Sequence, residues 1–146
     1  MIHWNHVKYF RPQEFEDPEH PGSGEMIDGV LLLKLGELRE DTWPIVTHWR
    51  VGGCVDVNGT HGHAPNSYHR KEQGYKAVDF HFDCYNEDPR LQYYFVSKHG
   101  FPGTGIYYDW EWNGKPLKIG FHVDLRPKVK TQRWKRVNGK YIYFLE

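Results

Sequence analysis

The chain has 146 residues, about one domain's worth, enough to bury a single core without staples. It is 38% apolar and 26% charged, and its 19 basic residues balance its 19 acidic ones. That composition excludes a disordered tail, a coiled coil and a collagen-like rod, and the zero formal charge leaves no electrostatic footprint for nucleic acid. The longest aliphatic run, Val30 to Leu33, is far too short to span a membrane. Met1 to His6 lacks a basic stretch followed by an apolar one, so no secretory signal is expected.

Residues 8 to 24 hold Pro12, Pro18, Pro21, Gly22 and Gly24 and read as an irregular arm. Ser23 and Glu25 open a helical pattern whose apolar face is Ile27, Val30, Leu31, Leu35 and Leu38. Gly29 and Gly36 each weaken that helix by about 1 kcal/mol relative to alanine, so tertiary packing must hold it. A short strand runs over 44–50, with Pro44 at its start, where no ladder donor is lost. Gly52 to Ser67 is a long polar loop, and long ordered loops in compact domains are often functional. Ala77 to Phe82 is a second strand. Asp88 and Pro89 cap a second helix that Gly100 closes. Strands follow at 105–108 and 119–125, with a hairpin signal at Asn113-Gly114 between them, and a second signal at Asn138-Gly139 joins 132–137 to 141–144. The whole, 1–146, reads as one α+β domain: two or three helices on a mainly antiparallel sheet.

Ten histidines and 16% aromatic residues stand out. A histidine excess suggests a metal site or pH chemistry. Cys54 and Cys84 leave a disulfide and two thiols equally open. Neither belongs to a CxxC pair, so a zinc site here would use histidines and carboxylates. Asp79 and His81 alternate along one strand, opposite Val78, Phe80 and Phe82. His122 and Asp124 alternate likewise, opposite Phe121, Val123 and Leu125. A His69–Asp79–His122 set would leave a fourth zinc position open for water, which is the catalytic form of such a site. His61, His63 and His81 compete as ligands, with the His61/His63 pair reading as a loop feature. Trp49, Tyr68, Tyr107, Tyr108, Trp110 and Trp112 divide between sheet packing and a cleft wall.

Several motifs, taken in order, resemble a known family. Ser67-Tyr68-His69, Gly74 and Ala77-Val78-Asp79-Phe80 are similar to the S-x-H…G…A-x-D pattern of the zinc D-alanyl-D-alanine carboxypeptidases. That family also holds the vancomycin-resistance dipeptidases and the L-alanyl-D-glutamate peptidases of phage lysis. Gly103-Thr104-Gly105-Ile106-Tyr107, then Phe121-His122-Val123-Asp124-Leu125-Arg126 and Trp134, resemble its ending. Phe10 to Phe15 resembles its F-x-x-x-E-F opening, Met26 to Arg39 its first helix, and His48-Trp49-Arg50 the end of its s-G-Y-R strand.

The resemblance implies the zinc-peptidase fold of the hedgehog and D-Ala-D-Ala peptidase type. It implies zinc on His69, Asp79 and His122. It places Arg50 beside the scissile peptide group as carboxylate or oxyanion holder, with Ser67 and Tyr107 in substrate binding. Two departures follow. Gly74 lies five residues after His69 and Asp79 ten after, so the Arg70–Lys76 segment is three residues longer than the family pattern. It is expected to bulge outward, with Arg70, Lys71, Glu72 and Lys76 in solvent, at little entropic cost. The acid that several members carry three residues before the last histidine is here Ile119. Asp124 is then the first candidate for general base, or else a carboxylate that orients a ligand, with Glu111 and Asp109 next.

The expected function is zinc-dependent hydrolysis of bacterial cell-wall peptides, of D-Ala-D-Ala carboxypeptidase or L-Ala-D-Glu endopeptidase type. The partner is peptidoglycan peptide, with no nucleic acid and no membrane span. The expected source is bacterial or phage, the protein being either a phage product held in the cytoplasm until release or an intracellular dipeptidase. The alternative is a non-catalytic metal-binding or structural domain on the same fold; a third option is a metallohydrolase acting on some other small peptide.

Overall fold

The computed structural model describes residues 2–85 and 88–144. The N-terminal arm is a series of short 3-10 turns, among them Pro12–Phe15 and Ser23–Met26. Gly24 lies so close to Pro12 that a Cβ there would fall 1.8 Å from the Pro12 carbonyl oxygen, which fastens the second turn to the first. The α-helix therefore starts later than the sequence pattern predicts. The Asp28 carboxylate accepts from the Leu31 amide at 2.9 Å and caps α1, Gly29–Asp41. The later start sets the buried face to Leu31, Leu32, Leu35 and Leu38, while Val30, expected inside, is 57% exposed. The second helix, α2 (Pro89–Lys98), opens on Asp88 and Pro89 as expected.

Among the described residues there are eight strands: β1 (Ile45–Thr47), β2 (Ala77–Phe82), β3 (Gly103–Tyr107), β4 (Glu111–Trp112), β5 (Lys115–Pro116), β6 (Gly120–Asp124), β7 (Gln132–Val137) and β8 (Lys140–Phe144), of which β4 and β5, on either side of Asn113-Gly114, are additional to the six predicted. Six of them form one sheet, ordered β1-β2-β6-β3-β7-β8. Its pairs are antiparallel except for the parallel β3–β7 pair. The remaining two, β4 and β5, form a separate hairpin. Both hairpin turns use Asn-Gly with positive φ at each residue, 52° and 76° at Asn113-Gly114 and 50° and 76° at Asn138-Gly139. That pair of angles matches the right-handed twist of the flanking strands. The described residues thus form a mixed α/β structure with two α-helices and a mainly antiparallel six-stranded sheet.

Strand alternation separates the two sheet faces. Val78, Phe80, Phe82, Ile106, Phe121 and Val123 join Leu31, Leu35, Leu38 and Val96 in one core. Phe80 and Phe121 stack at 5.6 Å, and Trp43 meets Phe82 edge-on at 5.3 Å. Each such side chain contributes roughly 1.5–3 kcal/mol on burial. Neither cysteine is in a disulfide: Cys54 is buried with its thiol toward the Glu14 carbonyl at 3.6 Å. Among the described residues no helix is long and apolar enough to cross a membrane.

The other face carries the polar residues in cross-strand rows. One row runs Asp79, His122, Gly105, Trp134, Tyr143 across β2, β6, β3, β7 and β8. Rows on either side hold Asp124 beside Gly103 and Tyr107 beside Gly120. These three glycines leave space for large neighbours to lie down on the sheet. A Cβ at Gly103 would meet the Asp124 carboxylate, one at Gly105 the Trp134 indole, and one at Gly120 the Trp110 ring, all within 2.4 Å.

Candidate metal centre and its cleft

Three atoms from three parts of the chain converge on this face. His69 ends the long loop, Asp79 lies on β2, and His122 on β6. His122 Nδ1 lies 2.9 Å from Asp79 Oδ1, His69 Nε2 lies 3.3 Å from the same oxygen, and the two ring nitrogens are 3.3 Å apart. A zinc ion with ligands at about 2.0–2.1 Å in a tetrahedron needs ligand atoms about 3.3 Å from one another. The donor set, two imidazole nitrogens and one carboxylate oxygen, suits that ion.

Both rings are fixed by the nitrogen that does not face this point. His69 Nδ1 donates to the Cys54 carbonyl at 3.0 Å, and His122 Nε2 donates to Asp124 Oδ2 at 2.8 Å. Partners of this kind set the tautomer and ring orientation of a metal-binding histidine. His69 is held from behind by the loop: the Asp56 amide donates to the His69 carbonyl at 3.1 Å, and Ser67 Oγ accepts from the His69 amide at 3.3 Å.

Asp124 is fully buried and occupied. Its carboxylate takes two bonds from the Arg126 guanidinium, at 2.9 and 2.8 Å, one from the Arg126 amide at 3.0 Å, and the one from His122. It stands on the far side of the His122 ring from Asp79. The shared strand face expected from the sequence is present, but the ring separates Asp124 from the point of convergence. The carboxylate thus faces the His122 ring and Arg126 rather than the cleft.

The electrostatics follow from burial and pairing. Burial raises the Asp79 carboxyl, but His69 and the bonds from His122 and His69 outweigh it and hold the group well below the usual carboxylate range. Asp124 is raised by burial and held far lower by Arg126 and His122. Burial lowers His122, yet its bonds to Asp124 and Asp79 lift the ring to about 9.

A cleft of about 450 Å³ opens over these residues. Ser67 and Tyr107 line it. Tyr107 stacks on Trp110 at 4.2 Å, and its hydroxyl accepts from Trp134 Nε1 at 2.9 Å; burial pushes that phenol upward. Glu111 stands exposed at the rim. Asp109 instead binds Arg136 at 3.2 Å and accepts from the Gly139 amide at 2.7 Å.

Arg50 does not reach the cleft. The chain leaves β1 in a 3-10 turn, Trp49–Val51, closed by Gly52 at φ 83°, and this turn carries Arg50 into solvent with its guanidinium 5.2 Å above the Trp49 ring. Two other residues occupy the ground it was expected to hold. His48, one position past β1, is buried against the cleft, bonds His81 at 2.8 Å and stacks on Trp112 at 4.7 Å. Burial lowers it to about 4. Arg136, on β7, is the arginine among the cleft residues.

The loop brings His61 and His63 to the cleft as well, which spacing alone left as a loop feature. Each has a buried carboxylate partner: His61 binds Asp17 at 2.8 Å and His63 binds Asp56 at 2.9 Å. Among the described residues, two further groups of side chains could hold a metal ion, His63 with His69 and Asp79, and Asp17 with Glu19 and His61. The longer Arg70–Lys76 segment departs from expectation in part. Lys71 and Glu72 are exposed in a 3-10 turn, but Arg70 turns inward and donates to the His63 carbonyl at 3.1 Å. Asp17, Asp56, Arg70 and Arg136 carry no sequence signal that marks them. Each sits in an unpatterned segment, or on a strand position whose neighbours are not known before folding.

Comparison with models of protein families, with curated proteins and with solved structures finds no match.

Proposed function

We propose that this protein is a zinc-dependent peptidase that hydrolyses bacterial cell-wall peptide bonds, on the zinc-peptidase fold its motifs resemble. One observation carries the reading. His69, Asp79 and His122 bring three ligand atoms to within 2.9–3.3 Å of one another, and each histidine is anchored by its remote nitrogen. Three protein ligands beside a cleft is the arrangement of a catalytic zinc site, whereas His63, which could also join His69 and Asp79 around an ion, would be the fourth ligand of a structural one.

Zinc held there would supply Lewis acidity, activating a water and polarising an amide carbonyl. The chain's own residues do the rest. Asp124 and the Cys54 carbonyl keep the two rings turned toward the site. Arg136, steadied by Asp109, offers a planar guanidinium to a peptide carboxylate, the role sequence reasoning assigned to Arg50. Tyr107 and Trp110 give a flat wall, and Ser67 a hydroxyl at the edge. D-Ala-D-Ala carboxypeptidase and L-Ala-D-Glu endopeptidase activities both suit such a cleft.

The buried Ile119, where several family members carry an acid, favours a second reading: a domain that binds metal and does not hydrolyse. One experiment separates them. Elemental analysis of the purified protein should find one zinc per chain, and mass spectrometry of purified peptidoglycan after incubation should show new amine termini that a chelator abolishes. Zinc without hydrolysis would establish the second reading, and no zinc would remove both.

A further inference from the structure

We infer that His63, aimed by Asp56, is the proton-transferring residue of this site. The inference rests on the peptidase reading above and supplies the group that reading lacks. Position 119 is a buried isoleucine, and Asp124 is shut behind the His122 ring by Arg126. The base must therefore come from elsewhere on the cleft wall.

His63 meets the geometric requirement. Its ring lies flat on that of His69, with centroids 4.1 Å apart and planes 18° from parallel. It offers a ring nitrogen within 4.8 Å of ligand atoms of both His69 and Asp79. That is close enough to touch a water or amide lying over the three converging atoms.

Orientation comes from Asp56, which is fully buried and accepts from His63 Nδ1 at 2.9 Å. With Nδ1 committed as donor, Nε2 carries the lone pair. A carboxylate that fixes an imidazole tautomer beside the reacting atoms is the arrangement that activates a weak nucleophile. The loop is held in place as well. Arg70 donates to the His63 carbonyl, and Asp56 and Arg70 pair backbone to backbone in an isolated bridge. Arg70 belongs to the segment that is three residues longer than the family pattern. This segment thus helps hold the loop that delivers His63.

The step balances. As the water oxygen bonds to the amide carbon, one of its protons passes to His63 Nε2. As the C–N bond breaks, that proton passes to the leaving nitrogen and His63 regains its starting form. One water is consumed, and one carboxyl group and one amine are released.

The test uses the full chain with His63→Ala and Asp56→Asn. Zinc affinity is read by competition with a chromophoric chelator, folding by circular dichroism, and hydrolysis by amine release from peptidoglycan. His63→Ala should keep its fold, bind zinc within about threefold of wild type, and lose on the order of 10²–10⁴ in turnover, with partial rescue by added imidazole. Asp56→Asn should lose about tenfold or more in turnover with zinc still bound. An active wild type with His63→Ala within threefold of it overturns this inference alone. So does a zinc affinity reduced 100-fold or more, which would make His63 a ligand. A wild type that binds zinc and hydrolyses nothing overturns the peptidase reading, and this inference with it.

Discussion

Asp79 and His122 face each other directly across the β2–β6 ladder, and their side chains meet at 2.9 Å. Directly opposed residues on antiparallel strands have Cβ atoms about 4.5–5.5 Å apart, so the pairing itself holds two of the three ligand atoms within reach. A one-residue slip of either strand would turn its own polar side chain into the core. The register is held by Phe80 and Phe121, which pair in the next row and stack on the opposite face.

The first prediction concerns this pair and His69. Three protein ligands leave little redundancy, so His69→Ala, Asp79→Ala and His122→Ala should each lose most bound zinc while the Phe80–Phe121 core keeps the fold. Elemental analysis after gel filtration measures this. Wild-type zinc content in His122→Ala would remove it from the ligand set.

Asp124→Asn preserves shape and removes a charge. Because Asp124 lies behind His122, the substitution should cost roughly 10–100-fold in zinc affinity, and saturating zinc should restore much of the hydrolysis. Loss of turnover by 10³ with zinc fully bound would instead return Asp124 to the role of base.

The metal-free protein should be most stable near neutral pH. His122 is lifted to about 9, above its unfolded value of 6.5, so its stabilisation is complete below pH 6.5 and is lost as pH rises toward 9. His48 is depressed to about 4, so the unfolded chain takes up a proton that the folded one refuses as pH falls from 6.5 toward 4. Asp79 and Asp124, both depressed, withdraw their stabilisation below the ordinary carboxylate value of 3.8. Thermal melts in a chelator across this range should peak near pH 6.5. Zinc must displace the His122 proton, so at about pH 7 binding should release close to one proton, measurable by calorimetry in buffers of different ionisation heat. Melts rising steadily to pH 9 would contradict the placement of that proton.

Glycine substitutions should split by location. Gly105→Ala pushes a methyl into the Trp134 indole, 2.4 Å from Nε1, and should cost about 1–3 kcal/mol and weaken zinc binding through the neighbouring His122. Gly36→Ala on α1 meets nothing within 4 Å and should stabilise by up to about 1 kcal/mol. Denaturant midpoints compare the two, and equal effects would contradict the crowding described for β3.

Much of this molecule is legible before folding. The alternation along Ala77–Phe82 and Gly120–Asp124, the Asp88-Pro89 cap and the two Asn-Gly turns are local signals, because backbone geometry and side-chain period act over a few residues. They determine the strands, the second helix and the polar faces of β2 and β6. The first helix is the exception among the elements: its start depends on Gly24 packing against Pro12, a contact the apolar pattern does not contain. The surroundings of the site required the tertiary structure. The family resemblance places Arg50 at a strand end beside the site, but the turn at Trp49–Val51 sends it outward and brings His48 in. Asp124 shares a face with His122, yet only the packed ring shows which side of it the carboxylate occupies. His63 with Asp56, and Arg136 with Asp109, are contacts between segments of unrelated pattern. A loop's destination is decided by buried partners and hydrogen bonds formed far along the chain, and no short-range periodicity encodes those.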